Sequence, residues 1–204
     1  MPRDKTASHK RVLESAKKEF LSQGFEAASI REIAQGAGMT SAGLYRHCKD
    51  KEDLLGQLLQ PLFADMNRRF EKHTRESYAA MRQGSELKSA FDSGEIKIFH
   101  DLALSYPEEM KLLLCKSGGS HYENFLHKLV NEQQVQMMEV LAFLSEQGYP
   151  VISVSEKEMH VFLSAFVTAI VEPIVHDYNK EEMEACLTKI KEFFTPGWIN
   201  IMGL

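Results

Sequence analysis

Residues 29–51 read SIREIAQGAGMTSAGLYRHCKDK, and the spacing of three residues within them decides the local fold. Ala34 is small at a point where two short helices would cross closely. Gly38, four residues later, sits where a turn needs positive φ, a conformation that a residue without a Cβ adopts without strain. Leu44, six positions further on, faces back and locks the second helix onto the first. This is the spacing of a helix-turn-helix. Ser29 opens the first helix, with Glu32 three residues on as a capping box requires, and Thr40 caps the second, which ends near His47.

Taken at 100° per residue, the second helix turns Leu44 and Cys48 inward and Ala42 and Arg46 outward. Ser41 and Tyr45 lie on one flank, Gly43 and His47 on the other. A small, polar and basic outer surface suits a helix pressed into a major groove. Ala42 and Gly43 permit close approach, Arg46 has the fork for a guanine edge, and Ser41 reaches a base or a phosphate. Tyr45 and His47 suit phosphates, and Lys51 adds charge at the start of the next helix. Ser29 and Arg31 stand at a capped helix start, as Thr40 does, where backbone N–H groups attract phosphate. The bland alternative is a helix pair in a protein of any function, with Leu44 and Tyr45 as ordinary core.

Spacings of three and four continue on both sides. Leu13, Ala16 and Phe20 line one face of a preceding helix that Gly24 ends. The helix after Ser29 buries Ile30, Ile33, Ala34 and Ala37. Asp50, with Asp53 three positions later, starts a long helix through Leu54, Leu55, Leu58, Leu59, Leu62, Phe63 and Met66. Further helices are predicted near 88–104, 107–116, 119–147, 156–178 and 180–194. Val151 to Ser155 is the best strand-like candidate, and it is short. The expectation is an all-α protein: a three-helix N-terminal DNA-binding domain with a helix-turn-helix, residues 1–52, and a larger helical domain, residues 53–204.

Net charge is −5, which by itself argues against a nucleic-acid partner, but the charge is unevenly spread. Residues 1–51 hold a surplus of +4 and the rest a deficit of −9, a basic head on an acidic body. The three cysteines, Cys48, Cys115 and Cys186, are far apart and form no CxxC pair, which excludes a disulfide framework and a structural zinc site. No metal or other cofactor is expected. No apolar run approaches the roughly 20 residues that span a bilayer, and the polar start does not resemble a secretory signal, so a cytoplasmic protein without membrane contact is expected. Cys115 to His121 mixes Ser117, Gly118, Gly119 and Ser120 in a way that invites an enzymatic reading. It lacks both GxSxG and GxxxxGK[ST] and any preceding strand. A helix break is the better account.

The stretch AKKEFLSQGFEAASIREIAQGAGMTSAGLYRHCKDKEDLL, Ala16 to Leu55, resembles the N-terminal domain of the TetR family of bacterial repressors. Phe20, Gly24-Phe25, Ser29-Ile30, Ile33-Ala34, Ala37-Gly38, Leu44-Tyr45, His47 and Lys51 to Leu54 fall where that family's pattern wants them. Cys48 replaces a frequent aromatic residue, and Arg46 occupies a variable reading position. The resemblance implies a homodimer on a double-stranded DNA operator and a small-molecule effector held in the C-terminal helices, whose last two long members, 156–178 and 180–194, would meet their copies. For the effector pocket, Phe63, Met66, Phe70, Phe99, Phe125 and Met137 are the apolar candidates. Glu172 lies inside the apolar run AFVTAIVEPIV beside Pro173, where a buried carboxylate needs a cationic ligand, an Arg or Lys, or water at an exposed edge. The leading reading is a ligand-released repressor. Its alternatives are a DNA-binding protein whose body docks another protein, and a small helical enzyme.

Overall fold

The computed structural model describes residues 5–83 and 94–204. The regular structure of the described residues is helical, in the order α1 Lys5–Gln23, α2 Ile30–Gly36, α3 Ser41–Leu44, α4 Lys51–Gln83, α5 Gly94–Ser105, α6 Pro107–Cys115, α7 Phe125–Glu146, α8 Glu156–Val175 and α9 Lys180–Met202. They form two compact units, residues 1–65 with 106–124 and residues 66–105 with 125–204, and α4 supplies residues to both. The first six residues of the helix predicted near 88–104 lie outside the described residues.

In the first unit α1 buries Val12, Ala16 and Phe20, spaced i, i+4, i+8, whereas Leu13, expected on that face, is half-buried. Gly24 ends the helix at φ +79°, its N–H on the Phe20 carbonyl at 2.9 Å. Ser29 caps α2 through the N–H of Arg31 at 3.2 Å. The reciprocal arm expected from Glu32 comes instead from α1: the Ser29 N–H donates to Glu19 Oε1 at 3.2 Å. The cap is therefore shared between helices and ties α2 to α1. Asp50 and Asp53 build the start of α4, with the Asp53 N–H on Asp50 Oδ1 and the Lys49 N–H on Asp53 Oδ2, both at 2.8 Å. Accepting that backbone N–H holds the Asp53 carboxyl below its usual range.

Leu54, Leu55, Leu58, Leu59 and Leu62 of α4 are buried. Pro107 opens α6 at its first turn, followed by Glu108 and Glu109. Lys17 of α1 meets these two carboxylates at 3.0 and 2.6 Å. The segment after α6 is a turn, with Gly119 at φ +80° and the buried Ser117 hydroxyl donating to the Leu113 carbonyl at 2.7 Å. That turn is why α7 begins at Phe125 and not near residue 119.

The second unit packs α5, α7, α8 and α9 around Leu102, Leu144, Met159, Leu163 and Ile170. Complete capping boxes start α8, from Ser155 with Glu158, and α9, from Asn179 with Glu182. Val151 to Ser155 is not a strand; the Ile152 N–H pairs with the Ile201 carbonyl at 2.9 Å. The last helix runs beyond the predicted end at 194, through Pro196 to Met202, and stops at Gly203 with φ +70°. Proline there forfeits one backbone bond, but Trp198 beyond it packs edge-on to Phe166 and Met202 is fully buried. By length and composition α8 is apolar enough to cross a membrane, which corrects the expectation that no such run exists. Its Met159, Leu163, Phe166, Val167 and Ile170 pack inside the unit.

The junction of α1 and α2 is testable at Gly36. A Cβ there would run into Ser15 Oγ, a hydroxyl that is itself fixed on the Ile33 carbonyl at 2.8 Å. Gly-to-Ala in a helix ordinarily stabilises by up to about 1 kcal/mol. Here Gly36→Ala makes that hydroxyl give up its hydrogen bond, so the usual gain is expected to be cancelled to within about 1 kcal/mol, read by urea denaturation, and to reappear when Ser15→Ala is added in the same chain. A stabilised single variant would contradict this packing.

Candidate nucleic-acid interface

Two backbone events bring α2 and α3 together. Gly38 adopts φ +69° with its N–H on the Gln35 carbonyl, and the Met39 N–H reaches the Ala34 carbonyl, both at 3.0 Å. Thr40 then caps α3, its Oγ1 accepting the Gly43 N–H at 3.2 Å. Only four residues are helical, and Tyr45 to His47 continue as turn. Ala34 and Leu44 are buried at the crossing, and Cys48 lies beneath, its thiol donating to the Leu44 carbonyl at 3.8 Å. Burial pushes that thiol up to about 11, so Cys48 is an unreactive plug.

The face away from Leu44 is open. Ala42 and Arg46 are exposed, the Tyr45 side chain is 54% exposed, and Ser41, Gly43 and His47 are half-buried beside them. Thr40 and Arg31 are exposed and Ser29 half-buried, the latter engaged in the α2 cap. Lys51 is placed differently. Its ammonium donates to the Glu26 and Ala28 carbonyls at 2.9 and 3.3 Å and sits 4.6 Å from the centre of the Phe25 ring. It pins the loop between α1 and α2 to the start of α4.

Sequence reasoning missed the contribution of α1. Ser8 and Arg11 join Gly38, Met39, Gly43 and Arg46 around one surface cleft, and His9 stacks on His47 with ring centres 5.7 Å apart. The available signal was that His9 and Arg11 flank the buried Val12 face of a helix packed on α2.

The apolar candidates for a pocket separate. Phe70, Phe99 and Met137 line one cavity of about 90 Å³ inside the second unit, together with Phe166 and Trp198. Phe63 instead stacks on Tyr122 at 5.5 Å in the first unit. Met66 is buried outside the lining, and Phe125 is half-buried at the start of α7. Glu172 is a surface residue, 2.8 Å from His176 Nε2 one helical turn on, and takes no part in the cavity. Polar residues that the sequence did not single out, His73, Glu95, Gln133 and Gln136, line it as well. Among the described residues no group of three or more His, Cys, Asp and Glu is placed to hold a metal ion.

A buried crossing with an exposed second helix and a positive-φ glycine between them defines a helix-turn-helix unit. Residues 12–58 match the family model described as bacterial regulatory proteins, tetR family. The repressor KstR2, an HTH-type transcriptional repressor from two strains of Mycobacterium tuberculosis, is 28% identical over 140 residues, which cover 68% of this chain. The match spans 66% of the relatives' own length. A TetR-family regulator from Streptomyces coelicolor A3 aligns over 99% of this chain and 98% of its own with a TM-score of 0.48 at 15% identity. A TetR family transcription regulator from Marinobacter aquaeolei VT8 aligns over 94% and 97% with 0.46 at 18%. The N-terminal residues 12–58 are thus similar to the DNA-binding part of the tetR family of bacterial regulatory proteins.

The bracing position of Lys51 has a consequence for stability. Lys51→Met keeps an apolar stem over Phe25 but leaves two carbonyls without their donor, and a loss of about 0.5–1.5 kcal/mol is expected, measured by thermal unfolding of the full chain. An unchanged melting temperature alongside weakened DNA binding would make Lys51 a phosphate contact instead.

Proposed function

We propose that this protein is a transcriptional repressor that binds a palindromic operator as a homodimer and leaves it when a small molecule occupies the second unit. The observation that carries the reading is the α3 surface, where Ala42, Tyr45 and Arg46 stand exposed around a fully buried Leu44. The family match over residues 12–58 and the repressor named among the relatives point the same way. Residues 1–52 would read DNA, and residues 53–204 would bind effector and partner. Arg46 and Ser41 address base edges, Ala42 and Gly43 allow approach, and Tyr45, His47, Ser29, Arg31 and Thr40 address the backbone phosphates. Lys51 supports this surface through the loop it braces.

Dimerisation is favoured by apolar side chains left open on the last two helices, Val161 and Phe162 on α8 and Phe193 on α9. A symmetric dimer spaces two reading helices about one DNA turn, or a multiple of it, apart. To reverse operator occupancy from 99:1 to 1:99 the effector must favour one state by about 5.5 kcal/mol. Such a regulator works in the cytoplasm and needs no catalytic step.

Duplexes selected from a random pool provide the test. Arg46→Ala and Tyr45→Ala are expected to fold as the parent does yet bind the selected duplex roughly ten- to a hundredfold more weakly. Arg31→Ala should reduce the dependence of log affinity on log salt by about one phosphate contact. Parent-like affinity in both α3 variants would remove the proposed reading surface.

A further inference from the structure

The cavity in the second unit is walled by rings. Phe70 and Phe99 meet edge to face at 6.0 Å, Phe166 and Trp198 at 5.8 Å, and Tyr78 adds a fifth ring to the lining. Among the described residues the lining holds one carboxylate, Glu95, and neither Lys nor Arg. Glu95 stands in the first turn of α5 and makes no hydrogen bond or ion pair with another described residue. Its titratable neighbour is His73 of α4, whose ring occupies the space a Cβ on Gly94 would need. Burial pushes the Glu95 carboxyl up from its ordinary range, and the His73 ring pulls against that.

Glu95 itself is half-buried, and a carboxylate partly withdrawn from water gains when a cation meets it. Ring faces carry negative electrostatic potential, so an aromatic wall adds to the attraction for the same cation. We infer that this cavity takes a compact cation, a protonated amine or quaternary ammonium on a small apolar group, with Glu95 as its counter-ion. The inference deepens the reading of this unit as the effector site and rests on it for its biological meaning, but the binding itself does not depend on DNA release. Size agrees: about 90 Å³ is below the ~150 Å³ of a cavity known to hold benzene, so the fit is to a short chain or a small ammonium.

Three probes of matched size separate charge from shape: butylammonium, 1-butanol and butyrate, each titrated into the full-length protein and followed by NMR. Butylammonium is expected to bind at least tenfold more tightly than 1-butanol, and butyrate more weakly than either. Glu95→Gln should cost butylammonium about tenfold and leave 1-butanol unchanged. Equal affinity for the cation and the alcohol, preference for butyrate, no binding of any probe, or indifference of butylammonium to Glu95→Gln would each overturn the assignment. Should Glu95→Gln fail to fold, the ratio of the three affinities on the parent protein still decides. Binding of butylammonium through Glu95 without any loss of DNA affinity would uphold the cation site and refute its role as an effector site.

Discussion

The burial of Leu44 is the constraint on which the first unit depends. A four-residue helix has too few internal hydrogen bonds to persist alone, so α3 exists only because something holds it. Leu44 is that anchor, fully enclosed and contributing about 1.5–3 kcal/mol relative to an exposed leucine. Gly38 and the Thr40 cap fix how the chain enters the helix, and Cys48 closes the floor beneath it. With the inner side so determined, the outer side chains are free to serve recognition without disturbing the packing.

The same region shows what an amino-acid sequence reveals and what it hides. The turn glycine, the caps at Ser29 and Thr40, and the leucines of α4 were legible because each depends on neighbours a few positions away. Glu19 was hidden as the partner of the Ser29 N–H because it lies ten residues back on another helix, while Glu32 offered a better local pattern. Lys51 read as a free charge because its acceptors are backbone carbonyls of a loop more than twenty residues earlier. Val12 displaced Leu13 from the buried face because one residue of rotation, 100° on a helix, separates them, and apolar spacing alone does not fix that angle.

Legibility falls further in the second unit. Phe70, Phe99 and Met137 were recognisable as apolar residues, but their shared cavity follows from the packing of five helices drawn from distant parts of the chain. Glu172 attracted notice through its apolar neighbours, yet the helix face it occupies is the solvent side, where His176 meets it. Glu95 carried no local signal, since an acidic residue in a first helical turn is ordinary; its place in the lining of the cavity is a tertiary fact. The last helix continues through Pro196 although proline opposes a helix interior, and the burial of Met202 beyond it outweighs the one bond lost.

Duplex DNA titrated into isotopically labelled full-length protein gives the most direct measurement of the central claim, with backbone amide shifts followed residue by residue. Perturbations are expected to concentrate at Ser29 to Arg31, Thr40 to His47 and the α1 residues His9 and Arg11, with Leu102 and Leu144 in the second core unmoved. Perturbations that bypass the α3 surface, or none at all at low salt, would contradict it.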